Sequence, residues 1–159
     1  GNDGIATALQ GVFNGRQALG YVVGRLSPYQ IGATVLGVCE TADYNNSFQQ
    51  QVESFARKAR ESGYSVLIGA AGMAAHLAGA LKSNSTLPVI GVPLQGGILD
   101  GLDALFSTVQ MPKGVPVATV SVGKAGAINA AILCAEIFSL NNNGIQIKLE
   151  SFKRNGAKL

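Results

Sequence analysis

The fold is decided by three similar stretches, the first of which is SVLIGAAGMAAHLAG at residues 65–79. The second is LPVIGVPLQGG at residues 87–97, and the third is VATVSVGKAGA at residues 117–127. Each is a short apolar run that enters a turn of small residues and then an alanine-rich segment of helical character. Strands and helices that alternate with short links predict an α/β fold with a parallel sheet. Right-handed crossovers then predict a three-layer αβα sandwich with a doubly wound sheet.

The remaining segments predict further elements of a single domain that spans residues 1–159. Apolar spacing predicts a helix over residues 4–26, although three glycines weaken it. Residues 32–39 are predicted to form a strand, and residues 40–47 a polar loop. An amphipathic pattern predicts a helix over residues 48–62. The later helices are predicted over residues 73–82, 99–109, 126–139 and, after a break at an Asn-rich turn, 145–154.

Composition limits the kind of partner that this chain can have. Only 13% of the residues are charged, which suggests that other subunits cover much of the surface. Four basic residues and one acidic residue between positions 148 and 158 account for the whole net charge of +3. The basic character therefore belongs to the tail and does not form a patch, so we expect no nucleic-acid partner. No apolar run is long enough to cross a membrane, and no secretion signal is visible, so a cytoplasmic protein is expected.

Cysteine and histidine usage argues against a metal site. Cys39 and Cys134 are far apart and lack the CxxC spacing of zinc or redox motifs, so buried thiols in a reducing compartment are expected. His76 is the only histidine, and the carboxylates are scattered, so no ligand cluster for a metal is predicted. Walker, GxSxG and GxGxxG motifs are also absent, and a dinucleotide site is not expected.

The ends of the three predicted parallel strands indicate a small-molecule site. Ligands bind beyond the carboxyl ends of parallel strands, and here those ends are residues 69–72, 93–97 and 123–126. Small residues let the backbone approach a ligand closely, and open amides at helix starts favour an anion. The alternative interpretation is that these small residues only allow tight packing of strand on helix. His76 lies in the first of these turns, where a ligand-facing role and a structural role are both open. Asp43, in the polar loop, is the best-placed carboxylate, although loop aspartates are often only turn formers.

These motifs resemble the PurE family of carboxyaminoimidazole ribonucleotide mutases and aminoimidazole ribonucleotide carboxylases. The family's glycine loop, GAGGAAHLPG, is similar to residues 69–79, with Ala71, Met73 and Ala78 as departures. Its PVxGVPVQS segment is similar to residues 88–96, with Gly96 in place of serine. Its GxDxLxSxVQMPxGxPVxT run matches residues 101–119, and its GKAGAxNAA matches residues 123–131.

The resemblance implies a flavodoxin-like fold, no cofactor, and a homo-octamer that acts on a phosphorylated aminoimidazole riboside in purine biosynthesis. His76 matches the histidine of the family's glycine loop and not its proton-transfer histidine, and it is the catalytic candidate because no other histidine could act. The positions implied to bind substrate are Asp43, Gly69, Ala70, Ala71, Gly72, Met73 and Gln95.

The front of the chain departs from the family pattern. Family members carry a GSxSD loop that holds phosphate and a SAHRTP loop whose histidine moves a proton, and neither motif is present here. The segment of residues 39–43 could stand at either place, and only Asp43 matches the first loop. Two hypotheses therefore remain open: a divergent mutase or carboxylase, or a catalytically impaired paralogue that binds another small ligand or serves as a structural subunit.

Overall fold

The computed structural model describes the backbone of residues 18–27, 30–40 and 46–158, and the side chains of residues 49–158. The elements in chain order are β1 (Ala18–Ser27), β2 (Gln30–Glu40), α1 (Asn46–Lys58), β3 (Tyr64–Ala71), α2 (Leu77–Ser83), β4 (Val89–Pro93), α3 (Leu102–Val109), β5 (Ala118–Thr119), α4 (Lys124–Ser139) and α5 (Asn143–Arg154).

The sheet has five strands in the order β2-β1-β3-β4-β5. Strands β3, β4 and β5 are parallel, with Ile68 beside Ile90 and Ile90 beside Ala118. This parallel unit, flanked by helices, confirms the predicted α/β class and flavodoxin-like sandwich. Strand β1 is antiparallel to both β2 and β3, so the complete sheet is mixed. The purely parallel sheet that we expected is therefore extended by an antiparallel pair at one side.

Strand β1 corrects the helix predicted over residues 4–26, because Ala18–Ser27 is extended. Residues 4–17 lie outside the described part. Two properties favour the strand: the segment holds Tyr21, Val22 and Val23, which suit a pleated surface better than a helix, and its glycines weaken a helix. The ladder decides the outcome, because β1 pairs with β2 on one side and β3 on the other. The strand predicted over residues 32–39 is confirmed as β2.

The other predicted helices are confirmed, with shifted boundaries. Helix α2 begins at Leu77 and not at residue 73, because Met73 has a left-handed φ of 51°. Helix α3 begins at Leu102, because Asp100 and Gly101 have φ values of 48° and 98°. Helix α5 begins after Asn142, whose side-chain oxygen accepts a hydrogen bond from the amide of Ile145 at 3.1 Å.

The two faces of the sheet carry separate cores, because successive side chains of a buried strand point to opposite faces. On β3, Leu67 and Ala71 pack with α1, α2 and α3, whereas Val66, Ile68 and Ala70 pack with α4 and α5. The first core contains Val52, Ala56, Ala59, Leu77, Ala78, Leu81 and Ala104. The second contains Ala127, Ala130, Cys134, Phe138 and Ile145.

Cys134 is a core residue of the second face. It is 5% exposed, and burial raises the pKa of its thiol from 9.0 to about 12. The thiol is therefore protonated at neutral pH and is neither a nucleophile nor a metal ligand. This agrees with the expectation of a buried structural cysteine, whereas the side chain of Cys39 lies outside the described part.

Two glycines let helices approach the first face of the sheet closely. A Cβ atom at Gly69 would lie 2.9 Å from the Cα of Ala78 in α2. A Cβ atom at Gly91 would collide with the Cγ2 methyl of Thr108 in α3 and lie 2.9 Å from Val117. Thr108 is 2% exposed, and its hydroxyl donates to the carbonyl of Ala104 at 2.7 Å. Helices α2 and α3 are thus held at a separation from the sheet that leaves no room for a methyl group.

We expect Gly69→Ala to lower the free energy of unfolding by about 1–3 kcal/mol, the usual penalty of overpacking a core. The obstacle is backbone of α2, which cannot rotate away. Urea denaturation with a secondary-structure signal measures the effect. Gly79→Ala, in α2, is the matched control, because its Cβ would meet only the flexible side chain of Met111, with Cε at 3.0 Å and Sδ at 3.5 Å. Alanine has a higher helix propensity than glycine, so the control variant should be as stable as the wild type or more stable by up to about 1 kcal/mol. Equal stability of Gly69→Ala and wild type would contradict the close approach.

Candidate functional site

Three loops meet at the carboxyl edge of the parallel strands. We call them the β3 loop (residues 72–76), the β4 loop (residues 94–101) and the β5 loop (residues 120–123). The amide of Leu94 donates to the carbonyl of Ala71 at 2.9 Å, and the amide of Gly123 donates to that of Pro93 at 2.8 Å. The β4 loop and the β5 loop are therefore each tied to the end of the neighbouring strand. This is the edge at which open parallel sheets bind ligands.

Gln95, in the β4 loop, lies close to both the β3 loop and the β5 loop. A Cβ atom at Gly72 would lie 3.7 Å from the carbonyl oxygen of Gln95, and one at Gly123 would lie 3.1 Å from its side-chain Oε1. Gln95 therefore lies between the β3 loop and the β5 loop, and it is exposed to solvent. Its amide group has one acceptor and two donors with which it can bind a polar ligand. The structure therefore brings together three predicted site positions, Gly72, Met73 and Gln95.

The β4 loop is a tight turn built on left-handed residues. Gly96, Gly97 and Gly101 have φ values of 112°, 75° and 98°. The amide of Gly96 donates to Oδ1 of Asp100 at 3.2 Å, and the amide of Gly101 donates to the carbonyl of Gly96 at 3.2 Å. A Cβ atom at Gly101 would lie 2.7 Å from Val122 of the β5 loop. Asp100 therefore closes the loop, a role that the sequence analysis missed, although an Asp-Gly pair is a known turn signal.

His76 lies at the end of the β3 loop and directly precedes α2. It is exposed, and its imidazole makes no capping hydrogen bond to the helix. Its carbonyl accepts a hydrogen bond from the amide of Ala80 at 2.9 Å. The backbone of His76 therefore belongs to the first turn of α2, whereas its ring takes no part in capping that helix. The ring is accessible at the ligand edge. A titratable side chain in this position is suited to acid–base work.

The other predicted site residues are placed differently. Gly69, Ala70 and Ala71 lie inside β3 and are buried, with Gly69 against α2 and the two alanines in opposite cores. Their small size is accounted for by packing, so contact with a ligand stays a prediction for them. Asp43 lies outside the described residues, and its role also stays a prediction.

The start of α4 adds a cation and open backbone to the same edge. Gly123 precedes this sixteen-residue helix with φ 75° and ψ −146°, and no side chain caps it. The first amides of a helix lack intrahelical partners, and the helix dipole makes this end attractive to anions. Lys124, the first helical residue, is exposed. The sequence analysis named this segment as a strand end but did not place Lys124 among the site residues.

Neither a metal site nor a membrane-spanning helix is found among the described residues. No group of three or more His, Cys, Asp or Glu side chains in this range is placed to hold a metal ion. Within the described residues, no helix is long and apolar enough to cross a bilayer.

The fold and site together define a class: an α/β protein whose parallel strands end at one shared edge of small-residue loops. A family model described as AIR carboxylase matches residues 46–158, which include every helix and all three parallel strands of the described part of the chain. The chain belongs to this family.

Several curated relatives share substantial identity with this chain. It is 42% identical over 148 residues to the N5-carboxyaminoimidazole ribonucleotide mutase of Bacillus subtilis (strain 168), covering 86% of this chain and 90% of that protein. It is 46% identical over 101 residues to the protein of the same name from Escherichia coli (strain K12), covering 64% of this chain and 60% of that protein. For the protein of the same name from Vibrio cholerae serotype O1, identity is 48% over 99 residues, covering 62% of each. Against the last two, the match spans about three fifths of the relative's length.

We expect Gly123→Ala to displace Gln95 and to weaken binding at the site. The φ and ψ angles of Gly123 lie near a region that only glycine adopts readily. The new Cβ atom would also press on Oε1 of Gln95. We therefore expect the free energy of unfolding to fall by about 1–3 kcal/mol. Gly114→Ala is the control, because Gly114 has φ 93° but nothing within 4 Å of a new Cβ. Both variants should lose stability in urea, and only Gly123→Ala should lose affinity for aminoimidazole ribonucleotide in calorimetry. Equal affinity in the two variants would contradict the role of this contact.

Proposed function

We propose that this chain is a carboxyaminoimidazole ribonucleotide mutase of purine biosynthesis. Family membership and the names of its relatives support this function, and no observation favours an impaired paralogue or a purely structural subunit. The observation that carries the proposal is the meeting of Gly72, Gln95 and Gly123 beside an accessible His76 at the strand ends. We propose the mutase over the carboxylase because each of the relatives described above is named a mutase.

The proposed reaction moves one carboxylate group. A bond from the exocyclic nitrogen to the carboxyl carbon breaks, and a bond from a ring carbon to that carbon forms. The ring carbon loses a proton, and the exocyclic nitrogen gains one, so atoms and charge balance without a redox partner. The step needs a group that can accept and return a proton near the ring. His76 is the only histidine of the chain, and we assign it this role.

The substrate also carries two anionic groups, the phosphate and the carboxylate. The open amides at the start of α4 and the Lys124 side chain favour one anion, and the amide group of Gln95 can donate to another. We propose Gly72, Met73 and Gln95 as substrate contacts. Asp43 is proposed as a contact to the ribose phosphate region, by the resemblance of its loop to the family's first loop. No cofactor is required by this proposal.

The test of the function is direct. N5-carboxyaminoimidazole ribonucleotide is added to the protein, and the ring-carboxylated product is followed by its ultraviolet absorbance. In a second arm, aminoimidazole ribonucleotide and bicarbonate replace that substrate. Turnover in the first arm supports the mutase, and turnover in the second arm alone would assign the carboxylase. No turnover in either arm, together with no binding of either nucleotide, would exclude the enzyme.

We expect His76→Asn to lower kcat by about 10²–10⁴-fold, the usual contribution of one acid–base group. Because His76 is exposed and makes no capping hydrogen bond, the unfolding free energy should change little. Ser83→Ala at the other end of α2 is the control, and its kcat should equal that of the wild type. Undiminished turnover in His76→Asn would remove His76 from the mechanism.

We also propose that the protein works in the cytoplasm as a homo-oligomer, an octamer by resemblance to the family. An exposed apolar stripe on α3 and the turn before it supports the assembly. Its members are Leu99, Leu102, Phe106 and Val109, which are 54%, 45%, 55% and 49% exposed. Within α3, the spacing of Leu102, Phe106 and Val109 by four and three residues is that of a seam between packed helices. Such a contiguous apolar surface is typical of an interface between subunits.

Phe106→Glu is expected to shift the protein from its assembled form to smaller species, because a carboxylate would be desolvated in an apolar contact. Sedimentation velocity over a range of protein concentrations measures the shift. Ser54→Glu introduces the same charge at an exposed position on α1 and should leave the assembly intact. A wild-type monomer, or identical sedimentation of the two variants, would contradict the assignment of this stripe.

A further inference from the structure

Met73 stands out in the β3 loop because its backbone conformation is unfavourable for its side chain. Its φ is 51°, in the left-handed region that non-glycine residues adopt at a penalty of about 1–3 kcal/mol. The residue before it is a glycine, and the residues after it are alanines, so no neighbouring side chain forces this conformation. Strain of this kind persists only where the surroundings stabilise it, and it is concentrated at functional sites.

The surroundings that stabilise Met73 include the β4 loop. A Cβ atom at Gly97 would lie 3.0 Å from Cγ of Met73 and 2.6 Å from Oδ2 of Asp103. The side chains of Met73 and Asp103 therefore occupy the space that a side chain at position 97 would need. We call this space the Gly97 notch. The two loops are in contact there through the side chain of Met73.

The contact lies next to the groups that we assign to the ligand. Gly72 precedes Met73 and approaches the carbonyl of Gln95, which is two residues before Gly97. Met73 remains 39% exposed, so only part of its side chain is used in the notch. An unbranched thioether has three rotatable bonds and adapts to an irregular space, which suits a contact between two loops.

We propose that Met73 is a positioning residue that latches the β4 loop through the Gly97 notch and so holds Gln95 at the ligand edge. Without the side chain, the β4 loop keeps its internal turn, from Gly96 to Asp100 and Gly101, but loses this link to the β3 loop. The effect on the ligand rests on the proposed function, whereas the effect on the loop does not.

Amide hydrogen exchange tests the latch without any ligand. Exchange is followed by mass spectrometry on fragments that cover residues 94–102, in the wild type and in Met73→Gly, Met73→Ala and Met73→Leu. Met73→Gly removes both the contact and the strain, Met73→Ala removes the contact and keeps the strain, and Met73→Leu retains an apolar side chain of similar size. Exchange in this segment should be about five- to tenfold faster in the glycine and alanine variants, the change expected for one partly buried apolar contact. The leucine variant should resemble the wild type.

Substrate kinetics test the positioning of Gln95. The glycine and alanine variants should show a KM for N5-carboxyaminoimidazole ribonucleotide raised about five- to tenfold, with kcat changed less than twofold and recovery in Met73→Leu. Gly97→Ala, which fills the notch from the other side, should reproduce both effects. Unchanged exchange in the glycine and alanine variants would overturn the latch, and faster exchange with an unchanged KM would overturn the positioning of Gln95. A wild type without turnover would contradict the proposed function, and exchange would still decide the latch.

Discussion

The closeness of helices α2 and α3 to the sheet is the constraint on which the rest of this structure depends. Gly69 and Gly91 lie on β3 and β4, and neither position has space for a single methyl group against the helix above it. Because a protein interior is packed like a crystal, this separation sets the height of each helix start above the strand ends. This separation therefore also sets the positions of the β3 loop, which ends in His76, and of the β4 loop, which ends in Gly101.

The same constraint divides small residues into two groups that look alike in the chain. Gly69, Ala70 and Ala71 are small because helices and strands pack on them. Gly72 and Gly123 lie in loops beside Gln95, where a Cβ atom at Gly123 would press on Oε1 and one at Gly72 would be at an ordinary contact distance. Packing therefore accounts for the first group, whereas a close approach of a ligand to the second group stays a prediction. The boundary between them falls where β3 ends, at Ala71.

The part of the chain that matches the AIR carboxylase family contains a complete arrangement of packed helices and parallel strands. Strands β1 and β2 precede the matched residues and add an antiparallel pair beside β3. The missing GSxSD and SAHRTP motifs belong to the front of the chain, whereas single departures from the family motifs also occur at Ala71, Met73, Ala78 and Gly96. The edge described at the strand ends is therefore built from family-like β3, β4 and β5, and His76 is the one histidine in the sequence.

The sequence by itself determined the order of strands and helices from residue 46 onward, the parallel sheet and the family. It did so because hydrophobic periodicity and long motifs are local properties of the chain. It also placed His76, Gly72 and Gln95 near one edge, since parallel strands share a carboxyl end. Only the tertiary structure decided that residues 18–27 form a strand, because ladder partners distant in the chain outweigh a weak helical pattern. Likewise, the contacts of Gln95 with Gly123 and of Met73 with Gly97 depend on backbone angles and loop heights, which residue spacing does not encode.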